Sequence, residues 1–84
     1  MIINIADGAV DSGFNGSQQP IIQNLGPGIV YIGPFNSAED LTGLGLKLVV
    51  NAVYEYPATL VEGANKLYVT TDTNSTDVRI INVG

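Results

Sequence analysis

Residues Asn24 to Pro34 read "NLGPGIVYIGP", so that two Gly-Pro steps bracket a four-residue apolar run, Ile29-Val30-Tyr31-Ile32. A proline lacks the N–H that a ladder needs, and a glycine beside it permits a sharp reversal, so each step ends a strand. The run between them is apolar on both of its faces. In an antiparallel sheet this means that one face meets the core and the other meets a second layer, a loop or a partner subunit. The unit is therefore a short strand, covered on both sides and cut out by turns.

The same grammar extends in both directions. Glycine and proline make up 14 of the 84 residues (ten and four), and helical spacing of apolar residues is absent over any useful window. The pattern predicts an all-β fold, a small antiparallel β-sandwich or barrel with an N-terminal arm or long loop. Upstream, Pro20 to Leu25 reads as a strand with Ile21 and Gln23 on one face and Ile22 and Asn24 on the other. The polar, small-residue stretch Ala6 to Gln19, with Asn15-Gly16 as a turn dipeptide, reads as a mobile arm or long loop after a first strand, Ile2 to Ile5. The chain thus divides into residues 1–19, a strand with a flexible arm, and residues 20–84, the sandwich.

Downstream, Ser37 and Asp40 have the spacing of a capping box and Gly43 is placed to end a single helical turn. Leu44 to Val50 alternates, with Leu44, Leu46, Leu48 and Val50 inward and Lys47 outward. Ala52 to Tyr56 and Thr59 to Val61 read as one strand interrupted at Pro57, with "EGANK" as the next turn. Lys66 to Thr71 and Asp77 to Val83 read as a closing hairpin around "DTNST", with Leu67, Val69, Val78 and Ile80 in the core.

Composition narrows the function classes. With 45% apolar and 13% charged residues the chain is too hydrophobic to stay disordered. A domain this small buries only about 60 to 65% of the surface that its unfolded chain exposes. It has no Cys and no His to supply a disulfide or a metal clip, which leaves oligomerisation or attachment to a larger body as the source of extra stability. The net charge is −5, and Lys47, Lys66 and Arg79 are the only basic side chains. Three scattered cations do not make a phosphate-binding surface, so no nucleic acid is expected as partner, and an anionic membrane is disfavoured for the same reason. No apolar run approaches the length of a membrane span. "MIINIADGAV" has no basic segment and too short an apolar start for a signal peptide, so the expectation is synthesis in a cytoplasm.

Chemistry has few carriers. General acid-base work would fall on carboxylates, Lys or Tyr. Glu39-Asp40 reads as a solvated helix cap, and Glu55 and Glu62 have no basic neighbour in sequence. Asp72, Thr73, Asn74 and Asp77 resemble a calcium loop only faintly, without the central Gly and bidentate Glu of an EF-hand, and read as a polar turn. Tyr31, Tyr54, Tyr56 and Tyr68 could line a sugar-stacking face, but with no Trp present they read better as core and rim. No enzyme, cofactor or metal is expected.

The order "IQNLGPGIVYIGP", then a Ser/Thr/Asp/Gly turn, then "GLGLKL", then "KLYVTTDTNSTDVRIINVG" resembles small β-sandwich virion proteins of tailed bacteriophages over residues 20–84. The resemblance implies capsid decoration, or cement: a small protein on the outer shell, bound to the major capsid protein, often as a homotrimer at local threefold sites. An acidic chain without Cys agrees with the outside of a shell assembled in a bacterial host cytoplasm. The expected contacts are Ile2, Ile3 and Ile5, adding a strand to a neighbour, and Phe14, anchoring the arm. On this view the arm is separable, and its removal leaves the domain folded. Ile29, Tyr31, Val49 and Tyr54 are the expected subunit interface. The competing readings are a head-tail or tail subunit, which should form rings or tubes, and a carbohydrate-binding adhesion module, whose Tyr fluorescence should respond to ligand.

Overall fold

The structure, a computed structural model, describes residues 1–56 and 66–82. Eight strands form two antiparallel four-stranded sheets: β1 (Ile2–Ile3), β2 (Val10–Asn15), β3 (Ile21–Gly26), β4 (Val30–Gly33), β5 (Leu46–Leu48), β6 (Val53–Glu55), β7 (Lys66–Thr71) and β8 (Thr76–Ile81). The first sheet has the order β1-β8-β3-β6 and the second β2-β7-β4-β5. A helix, α1 (Ala38–Leu44), joins β4 to β5, and a short 3-10 turn (Ile5–Asp7) follows β1.

One core lies between the sheets. Ile3, Ile22 and Val78 enter it from the first sheet and Val30, Ile32, Leu48, Leu67 and Val69 from the second, with Tyr56 closing one side and Ile80 packed against it. The two layers are thus a β-sandwich, as the turn rhythm predicts. Alternation in β3 matches the reading: Ile22 and Asn24 are buried, and Ile21 and Gln23 lie on the other face, half-buried.

The bracketed run forms β4, with Val30 and Ile32 in the core and Tyr31 on the outer face. Its Gly-Pro-Gly lead-in does not turn a hairpin. It carries the chain from the first sheet to the second, with Gly26 in the left-handed region (φ 83°). At Gly28 the turn presses on the corner between β7 and β8 so closely that a Cβ there would lie 2.6 Å from the Thr73 Cβ. Only glycine fits that approach.

Four readings change. The stretch read as an arm contains β2, which pairs with β7 through Val10 opposite Val69 and Asp11 opposite Tyr68, with a bulge before Asn15 opposite Lys66. Its inward positions carry Val10 and Ser12, an alternation too small and polar to stand out from a loop, and pairing with a strong neighbour overrides the weak propensity. The first strand stops at Ile3 because Asn4 begins the 3-10 turn, where its backbone N–H donates to Asp7 Oδ2 at 2.7 Å.

The helix runs for seven residues instead of one turn. Ser37 caps it as expected, accepting from the Asp40 N–H at 3.1 Å, but Gly43 keeps helical geometry and the chain leaves the helix at Gly45. Leu44 therefore ends the helix, exposed, and β5 spans only Leu46–Leu48, with Leu48 in the core and Val50 exposed.

The closing pair is no hairpin. β7 belongs to the second sheet and β8 to the first, so "DTNST" is a corner between the layers. Thr71 and Thr76, both buried, join their hydroxyls across it at 2.8 Å, and Thr76 Oγ1 accepts from the Gly28 N–H at 3.2 Å. Buried polar groups with partners at a corner cost little, whereas a hairpin of β7 with β8 would put both strands in one sheet and leave the other without its second strand. The expected Thr59 to Val61 strand, the "EGANK" turn up to Asn65, and Pro57, Glu62 and Val83 lie outside the described residues.

Candidate functional surface

The outer faces of the two sheets differ. Helix α1 packs against β7, β4 and β5. Its Leu41 is fully buried although it is not part of the core between the sheets. Thr70, which register turns away from the core, is only 2% exposed, because α1 and the 3-10 turn both pack on β7. The second sheet thus wears a covering layer. The first sheet has none among the described residues, and large apolar side chains stand exposed on it or at its edges: Ile2, Leu25, Val53, Tyr54 and Ile81.

This bare face is built by alternation. With Ile22, Val78 and Ile80 turned in, β3 presents Ile21, Gln23 and Leu25 outward, and β8 presents Arg79 and Ile81. Val53 and Glu55 continue the same rows on β6. Ile21, Gln23, Val53, Arg79 and Ile81 line a shallow concavity of about 350 Å³. Val53 is 61% and Ile81 52% exposed, values at which a solvated side chain that large calls for a partner when several cluster.

The expected contact residues separate. Ile2 (60% exposed) lies on β1, the outer edge of the bare sheet, and Ile5 is exposed in the 3-10 turn, its N–H donating to Asn74 Oδ1 at 2.9 Å. Ile3, at 1% exposure, is a core residue and is unavailable to a partner, because alternation along β1 turns it inward when Ile2 faces out. Phe14 is half-buried in β2 beside a polar concavity that it shares with Asp11, Asn15, Gln18 and Lys66. Of the expected interface, Ile29 and Tyr31 lie in or beside β4 of the second sheet, half-buried; Val49, exposed, directly follows β5 of the same sheet, and Tyr54 is exposed on β6, the edge strand of the first. With Val30 opposite Leu48 and Tyr31 opposite Lys47, the register brings Val49 beside Ile29, so Ile29, Tyr31 and Val49 share the second sheet and Tyr54, opposite Ile22, stands apart on the first. Arg79, Ile81 and Val53 escape sequence reasoning as surface residues, although the strand reading of 77–83 that puts Val78 and Ile80 inward turns Arg79 and Ile81 outward.

The remaining chemistry is structural. Asp72 Oδ1 accepts from the Ile29 N–H at 2.8 Å and Asn74 Oδ1 from that of Ile5, so the oxygens of the faint calcium loop hold the corner to its neighbours. No group of three or more His, Cys, Asp or Glu converges among the described residues. Glu39 and Asp40 are exposed in the first turn of α1. The Gly13 N–H, donating at 2.9 Å, and then Lys66 at 3.4 Å hold the Asp11 carboxyl below the usual carboxylate range. The tyrosines do not share one platform: Tyr56 is in the core, Tyr31 and Tyr68 lie on the second sheet and Tyr54 on the first. No helix among the described residues is long and apolar enough to cross a membrane.

Compared with known family models, curated proteins and solved structures, the chain matches none.

Proposed function

We propose that this chain is a non-enzymatic structural protein of a tailed-phage virion, a decoration or cement protein that binds the major capsid protein on the outside of the head and stabilises the shell. The observation that carries the reading is the bare sheet, which spends several large apolar side chains on solvent while no group of three or more His, Cys, Asp or Glu converges among the described residues. A chain arranged this way works by contact. A cement acts by mass action, binding the assembled lattice better than free subunits and so stabilising it without catalysing anything.

On this reading Ile2 on β1 and Ile5 in the turn after it, both exposed, meet the shell, and the outer edge of β1, which pairs with no strand among the described residues, accepts a strand from it. Copies gather as homotrimers at threefold sites, with Ile29, Tyr31 and Val49 of the second sheet at their contacts. The resemblance of residues 20–84 supports the assignment, and so does the acidic surface, which suits the exterior of a shell that holds DNA within.

The test begins with mass spectrometry of purified virions from the phage that carries the gene, followed by rebinding of the chain to heads assembled without it. The chain is expected in the virion and on the heads, with Ile2→Asp and Ile5→Asp weakening uptake by about tenfold or more, since each puts a charge into a desolvated contact. Virions that lack the chain, or heads that take up none, overturn the reading.

A further inference from the structure

The bare face carries its charges in a particular arrangement. Ile21 stands opposite Glu55 on one side and Ile81 on the other, and Gln23 stands opposite Val53 and Arg79. Two rows therefore cross the face, Ile81-Ile21-Glu55 and Arg79-Gln23-Val53. The cation and the anion occupy different rows on the two strands that flank β3. With strands about 4.8 Å apart and same-face neighbours about 6.8 Å apart along a strand, their Cα positions are roughly 12 Å from each other. They do not pair with each other, and among the described residues the only ion pairs are Met1 with Asp77 and Lys66 with Asp11.

We infer that this face docks a second copy of the same chain about a twofold axis lying in the plane of the contact. An axis through the middle of the patch exchanges the positions of Arg79 and Glu55. Each guanidinium then meets the carboxylate of the other copy, and each Ile81 lies against the other copy's Ile21. The face is self-complementary. An acidic partner would oppose Glu55 with like charge, and a basic partner would do the same to Arg79, so neither satisfies both ends of the patch. The contact is isologous and closes after two copies. A face four strands wide and up to six residues long covers roughly 400 Å² per copy, at the small end for a specific contact, so the pair dissociates on dilution. This contact, on the first sheet, is separate from the threefold one at Ile29, Tyr31 and Val49 of the second and holds whether or not the chain belongs to a virion.

The test is solution mass by light scattering from about 10 μM to about 1 mM, the span in which a contact this small is populated. The mass is expected to rise to an even multiple of the chain mass, two alone or six where the threefold contact also forms, and Ile81→Glu should halve it. Arg79→Glu and Glu55→Arg should each weaken association by about tenfold or more, and the double variant, with the charges exchanged, should restore it. All three positions are exposed, and unchanged far-ultraviolet circular dichroism checks that the variants fold. A mass of one or three chains throughout overturns the inference. So does an even mass that Ile81→Glu leaves intact, or a charge exchange that fails to restore pairing.

Discussion

Asn24 occupies an inward position of β3, fully buried among aliphatic neighbours, and its amide has a partner for each of its polar atoms. Nδ2 donates to the carbonyls of Gly28 and Leu48, both at 2.9 Å, and Oδ1 accepts from the Gly26 N–H at 2.8 Å. One side chain thereby ties the Gly-Pro-Gly crossing and the end of β5 to the first sheet. Asn24→Leu has about the right size but removes all three of these buried hydrogen bonds to the backbone. It should destabilise by about 2 to 4 kcal/mol, read as a lower urea midpoint at unchanged slope. The sequence places Asn24 on one face with Ile22, yet nothing local says that this face is the core. A buried asparagine becomes legible only when the turn it serves is seen, and the same holds for Thr71 and Thr76.

At the scale of elements, α1 shows how far local signals reach. Ser37 announces the cap correctly, and Ser37→Ala should cost about 1 kcal/mol in chemical denaturation. The length of the helix was not legible, because what extends it past Gly43 is the burial of Leu41 against the second sheet, a tertiary effect. β2 is illegible for a related reason: its glycine and serine carry little propensity, and β7 supplies the pairing. The expected hairpin of residues 66–83 had both strands nearly right and their partnership wrong, since alternation fixes which side chains share a face but leaves the choice of neighbouring strand to the whole fold.

For the whole molecule, the correction to the N-terminal segment matters most. Residues 1–15 place one strand in each sheet, Ile3 in the core, and the Asn4 and Ile5 contacts on the corner, where Asn4 Oδ1 accepts from the Ser75 N–H at 2.9 Å. They are no detachable arm. Removing residues 1–9 deletes β1 and one fully buried isoleucine, worth about 1.5 to 3 kcal/mol by burial alone, together with the corner's hydrogen bonds. Against a stability of roughly 4 to 13 kcal/mol for a chain of this length, a largely unfolded or strongly destabilised product is expected by circular dichroism. A truncated protein that melts like the full chain would contradict the placement of β1. Contacts of this segment with a partner are therefore better probed by point changes at Ile2 and Ile5, which leave Ile3 in place.

The order of the strands also bears on how the chain is made. Among the described residues, apart from β4 and β5, no two consecutive strands are neighbours in a sheet, and β1 finds its partner in β8. Pairings so distant in sequence slow folding into the range of roughly milliseconds to seconds. Neither β1 nor β3 has its β8 partner until residues 76–81 have emerged from the ribosome, so the first sheet is completed only after synthesis of β8 and not along with it.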